Sequence, residues 1–72
     1  MLLSIEVEQE EDGRWLSEVV ELPGVLAYGQ TRAEAVIGAQ VLALRVIADK
    51  IEHGEALPIH ADLLPQVFQV AA

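Results

Sequence analysis

The residues best placed for chemistry in this sequence are three glutamates at alternate positions, Glu6, Glu8 and Glu10, followed directly by Glu11 and Asp12. Carboxylates that project from one face of a strand can hold magnesium for phosphoryl chemistry. The spacing works against that reading. Alternate strand residues stand about 7 Å apart, too far for neighbours to share an ion without help from another element. The sequence supplies no obvious helper, so the array reads as a solvated acidic face or as a dock for a basic partner. Hydroxyl nucleophiles are scarce. Thr31 belongs to a helix cap, Ser17 is expected on the inner face of a sheet, and neither histidine stands in a triad relation to Ser4 or any other hydroxyl. No catalytic residue is assigned and a non-enzymatic role is expected. His60 with Asp62 offers two mixed ligands in a loop, too few to define a metal centre, so neither metal nor cofactor is expected. His53 falls in the last helical turn, where a cation-capable ring suits the negative end of the helix dipole.

Composition narrows the function classes further. Twelve acidic residues against four basic ones give a net charge of −8 over 72 residues, which opposes nucleic-acid binding because phosphate backbones require clustered Lys and Arg. A basic protein partner would be favoured, although the same charge also serves solubility. There is no cysteine, so neither disulfides nor thiolate zinc sites are available, and a reducing compartment is compatible. No stretch reaches the roughly 18 apolar residues of a membrane span, because Arg45, Asp49 and Lys50 interrupt the only long apolar run. The N-terminus lacks the basic region of a secretion signal. A cytoplasmic protein without membrane association is expected, folded as a single domain over residues 1–72. A chain this short buries only about 60% of its unfolded surface, which leaves a lone monomer marginal.

The elements that must position these residues follow from periodicity. Leu3, Ile5 and Val7 alternate with Ser4, Glu6 and Glu8, the pattern of a half-buried strand. A hairpin turn comes next, and two registers compete. A two-residue Asp12-Gly13 loop would set Glu18 opposite Val7 on the core face. A three-residue loop, Glu11 to Gly13 with Gly13 left-handed, sets Trp15, Ser17 and Val19 beside Gln9, Val7 and Ile5. The second register keeps charge out of the core and is preferred; it also places Arg14 opposite Glu10 as an opposite-charge pair. A second strand over about 14–20 leads to Leu22-Pro23-Gly24, where Pro fixes φ and Gly permits the positive φ that follows. A third strand, 25–28, precedes the helix. A connector over 55–65 and a last strand over 66–70 complete the chain. The expected fold is α+β, in the order β-β-β-α-β: an antiparallel meander, a right-handed helical crossover, and strand four beside and parallel to strand one.

The helix opens at the capping box Thr31-Arg32-Ala33-Glu34 and closes at Gly54, which can take the left-handed conformation that ends helices. Glu34, Gly38, Arg45, Asp49 and Glu52 crowd into one arc of the wheel, and the rest, broken only by Gln40 and Lys50, forms two apolar stripes. Ala35, Val36, Ala39, Leu42, Ala43, Val46 and Ile47 suit a sheet. Ile37, Val41, Leu44, Ala48 and Ile51, spaced four, three, four, three, suit a partner helix. That second stripe is either an interface between copies of the chain, as a dimer or tetramer, or a surface covered by the connector through Leu57, Ile59, Leu63 and Leu64.

The succession Asp12-Gly13-Arg14-Trp15, Val20-Glu21-Leu22-Pro23-Gly24, Gly29-Gln30-Thr31, Glu34-Ala35 and Gly54-Glu55 with Pro58 resembles the HicB antitoxin family. The resemblance covers about residues 3–59, and its most specific part is the Glu-Leu-Pro-Gly turn followed by a Gly-x-Thr-x-x-Glu-Ala helix opening. It implies a partial ribonuclease-H-like fold and a role in neutralising a small basic RNA-cleaving toxin of the HicA type. Family members commonly carry a further C-terminal DNA-binding domain, which this chain is expected to lack. The helix departs from the family where Val41 and Leu44 stand in place of charged residues. A different class of function remains open beside this one: a small oligomeric module that binds a metabolite or metal at a subunit interface.

Overall fold

The structure, a computed structural model, describes residues 2–55. Three strands, β1 (Ile5–Gln9), β2 (Trp15–Val19) and β3 (Leu26–Gly29), precede one helix, α1 (Arg32–Glu52). The strands form one antiparallel sheet in the order β1-β2-β3. The expected strand over 66–70, the connector beyond Glu55, and His60 with Asp62 lie outside the described residues.

The first hairpin uses the three-residue loop. Ile5 pairs with Val19, Val7 with Ser17 and Gln9 with Trp15. Gly13 takes φ +92°, and the Glu10 amide donates to the Arg14 carbonyl at 2.7 Å. This register sends Val7 and Ser17 inward and Glu18 outward, so the alternative that buries Glu18 is excluded. The expected Arg14–Glu10 ion pair gives way to a shorter local one. Asp12 reaches forward across the turn, accepting from the Arg14 amide at 3.1 Å and from its Nε at 2.8 Å. The second connection is a type II turn: Val25 N–H donates to the Leu22 carbonyl at 3.0 Å, with Pro23 leading and Gly24 at φ +88°. Its flanking residues Leu22 and Val25 are buried, so the turn also helps to close the core.

Helix α1 is bounded at both ends as its sequence demands. Thr31 Oγ1 accepts from the Glu34 amide at 3.1 Å, and the Glu34 carboxylate accepts from the amides of Thr31 and Gln30. At the other end, Gly54 at φ +68° lets its own amide donate to the Ile51 carbonyl, and Glu55 donate to that of Lys50. That is the paired hydrogen bonding of a Schellman terminus.

The core joins Val19, Leu22 and Val25 to Ala39, Ala43 and Ile47, with Leu3, Ile5, Ala27 and Val46 packed around it. Small residues bring the first turns of the helix very close to the sheet. A Cβ on Gly29 would lie 2.5 Å from the Ala35 amide nitrogen, and one on Gly38 would lie 3.0 Å from the Ala27 Cβ. Ser17, fully buried, bonds through its hydroxyl to the Ala35 carbonyl at 2.5 Å, with the Ala27 carbonyl 3.3 Å away. The sheet-facing stripe is narrower than the sequence suggests. Ala35, Ala39, Ala43 and Ile47 are buried and Val36 and Val46 half-buried, while Leu42 is 37% exposed. Leu42 stands roughly 80° around the wheel from the middle of the buried row, beyond the reach of a sheet approached so closely.

Candidate interaction surfaces

Two surfaces gather the residues singled out by the sequence. The first is the outward face of α1. Leu44 is 64% exposed and Ile37 58%, and Val41, Ala48 and Ile51 are exposed beside them. These positions recur every three or four residues along a helix locked at both ends, so they form a single apolar seam. The seam lies to one side of the sheet-facing row of alanines. Next to it runs a groove between the helix and the start of the chain, lined by Leu3, Gln40, Ala43 and Leu44.

The second surface is the outer face of the sheet. Backbone register fixes its rows: Glu6 stands opposite Glu18 and Glu18 opposite Leu26, while Glu8 stands opposite Leu16 and Leu16 opposite Tyr28. Glu6, Glu8, Glu18 and Leu16 rim a shallow depression. Like charges directly across a ladder repel, so the Glu6–Glu18 pair weakens the isolated sheet. Leu26 and Tyr28 are exposed at its far side, and Val20 just beyond the end of β2. Beside the expected acidic set stands a further carboxylate. Glu6 and Glu8 lie together, Glu18 joins them from β2, and Glu10 sits past the end of β1 at the hairpin. Glu10 borders a neighbouring depression with Glu8, Gln9, Glu11, Asp12, Arg14 and Tyr28, so Glu8 is shared by the two. Glu18 was legible in principle, since the chosen register already places it opposite Glu6. Arg14 lies over the Tyr28 ring, 4.6 Å from its centre, while bonded to Asp12, and it does not neutralise the glutamate cluster.

Two exposed carboxyls are held below their ordinary range. The Arg14 amide, followed by the Arg14 guanidinium, lowers Asp12, and the Ser4 amide lowers Glu21 by donating to it at 2.8 Å. Both act as local fasteners, one in the hairpin and one between the N-terminus and the end of β2.

Asp49, His53 and Glu55 place one potential metal ligand each within 4.8 Å of the others at the helix C-terminus. The ring geometry gives this group a different role. His53 Nδ1 lies 2.8 Å from the Asp49 carbonyl, which can only accept, so this contact is made in the tautomer with hydrogen on Nδ1. Its other neighbour, the Asp49 carboxylate at 3.2 Å, also accepts. A metal at Nδ1 would have to displace that proton, and one at Nε2 would lie across the ring from the Nδ1 edge that meets Asp49. The ring therefore caps the helix, as its position near the dipole's negative end suggests. Thr31 and Ser17 spend their hydroxyls on the cap and on the helix–sheet contact.

No protein-family model, curated protein or solved structure matches this chain. Among the described residues, no helix is long and apolar enough to cross a membrane.

Proposed function

We propose that this chain is a non-enzymatic protein-binding module of the HicB antitoxin type, which associates with copies of itself through α1. On this reading its acidic sheet face receives a small basic protein, of which a HicA-type RNA-cleaving toxin is the leading example. The reading carries with it a cytoplasmic setting, a fourth strand beside β1, and the complete β-β-β-α-β order of a partial ribonuclease-H-like fold. The observed β-β-β-α succession is consistent with the first four elements of that order.

The observation that supports protein binding most directly is the exposure of the Ile37, Val41, Leu44, Ala48 and Ile51 seam. Branched side chains in water along one line of a rigid helix are a recognised mark of an interface. Light scattering on the wild type and on a Val41→Glu, Leu44→Glu variant tests it. The wild type is expected as a dimer or tetramer and the variant as a folded monomer. A monomeric wild type, or a variant of unchanged mass, would remove the interface.

A further inference from the structure

We propose that two copies of the chain join edge to edge along β3, merging their sheets into one, and that two such pairs meet through their α1 seams as a tetramer. The proposal rests on the self-association reading above and adds to it a second contact on a different surface.

The hydrogen bonds of the sheet show which backbone groups are spare. The Val19 amide donates to the Val25 carbonyl at 2.9 Å, so Val25 and every second residue after it turn their backbone groups toward β2. Leu26 and Tyr28, one residue out of phase, turn theirs to the open side. β3 ends the sheet, and among the described residues no strand pairs with that side. Natural edges are usually blunted by charge, by proline or by a bulge. Leu26-Ala27-Tyr28-Gly29 has none of these, and its two outward side chains are exposed and uncharged.

The occupant this edge fits is its own sequence. Run antiparallel about Ala27, two copies set Leu26 of each opposite Tyr28 of the other. Residues that point their amides and carbonyls outward then face one another, and each opposed pair exchanges two hydrogen bonds. On the outer face each pair brings an aromatic ring against a branched side chain, a favourable cross-strand combination. On the inner face Ala27 meets Ala27 in a non-hydrogen-bonded pair, where side chains come closest and small ones fit. The opposite edge of the sheet does not match itself in this way. β1 turned about Val7 would set Glu6 of each copy opposite Glu8 of the other, in a chain already at net charge −8.

The edge and the seam can be used together. The two-fold axis of the merged sheet stands perpendicular to it, so both copies of α1 lie on one face. Ile37, Val41 and Leu44 are exposed on the helix that covers this face. Two merged sheets therefore stack helix layer against helix layer, about an axis parallel to the sheets. Perpendicular two-folds close a tetramer of identical subunits. Glu6, Glu8 and Glu18 stay on the outside of both layers, open to a basic protein. A single contact between two strands this short is marginal in water. In the tetramer two of them act at once, each raising the effective concentration for the other.

Sedimentation should give the wild type as a tetramer. Leu26→Lys with Tyr28→Lys sets like charges across the joined edge, and that variant should have half the wild-type mass. Val41→Glu with Leu44→Glu leaves only the single edge contact and should have one quarter. The chain has no cysteine, so introduced thiols report the register without background. Leu26→Cys and Tyr28→Cys proteins, unfolded together and refolded, should cross-link with each other on mild oxidation. Neither should cross-link with itself, because like positions are offset by two residues along the strands. Circular dichroism establishes that each variant is folded; should the lysine variant not fold, the cross-link decides alone. A folded lysine variant of undiminished mass would overturn the proposal, as would a tetramer without the mixed cross-link. A dimeric wild type that becomes monomeric on Val41→Glu, Leu44→Glu would overturn it too, while leaving the seam standing. A monomeric wild type would remove both contacts.

Discussion

At the scale of single residues, the tightest constraint in the fold lies where β3 meets α1. Gly29 is required there by space, since an added Cβ would come within 2.5 Å of the Ala35 backbone nitrogen, which belongs to the first helical turn and cannot swing aside. Gly29→Ala should therefore destabilise the protein by about 1–3 kcal/mol, the usual range for overpacking, as read from denaturant midpoints. Ser17 answers the same closeness with chemistry, bonding the strand to the Ala35 carbonyl inside the core. Ser17→Ala should cost about 1 kcal/mol by the same measurement. The fasteners at Asp12 and Glu21 give a pH signature. Their carboxyls are lowered in the folded chain from ordinary values of 3.8 and 4.5, so the stability they contribute is complete above those values. It is lost as pH falls through the lowered folded values. Denaturant midpoints should decline with acid in that window, and Glu21→Gln should flatten part of the slope by lowering the neutral-pH midpoint slightly while leaving the acid one little changed.

At the scale of elements, local chemistry in the sequence determined most of what the structure contains. The hairpin register followed from asking which loop length keeps Glu18 out of the core, and the helix ends followed from Thr31, Glu34 and Gly54. Thr31→Ala should remove one side of the reciprocal cap and cost about 1 kcal/mol in thermal or chemical unfolding. Other features depended on three-dimensional placement and were not legible. Leu42 looked like a core residue because its wheel position borders the apolar arc, but the closeness of the sheet at Gly29 and Gly38 narrows the covered stripe. Arg14 was expected to pair with Glu10 across the ladder. The turn instead folds Asp12 back onto it, a side-chain contact two residues apart that cross-strand rules do not address. The acidic surface was partly legible: alternation along one strand supplied Glu6, Glu8 and Glu10, and only two-strand register adds Glu18.

At the scale of the whole molecule, the described residues present two contrasting surfaces, an apolar helix seam and a sheet face that mixes charge with apolar side chains. The outer sheet face combines Glu6, Glu8 and Glu18 with exposed Leu26 and Tyr28, a surface matched by a partner that offers cations around an apolar patch. Association with a basic partner should slow as salt rises from low to physiological strength, because screening shortens to about 8 Å. Replacing Glu6, Glu8 and Glu18 together by Gln should lower the association rate and reduce its salt dependence, as stopped-flow mixing would show. A rate indifferent to all three substitutions would reduce the patch to a solubility device.

The alanines that seat α1 on its sheet have a further effect. Having placed its smallest side chains toward its own strands, the helix carries bulkier ones, Ile37, Val41, Leu44 and Ile51, outward. Part of that bulk stays exposed on the described chain, and under the proposed self-association it is covered only on encounter. Folding strength and protein concentration are then linked by mass action. The midpoint of heat unfolding should climb as the sample is concentrated, and it should stay flat once Val41 and Leu44 have been made acidic.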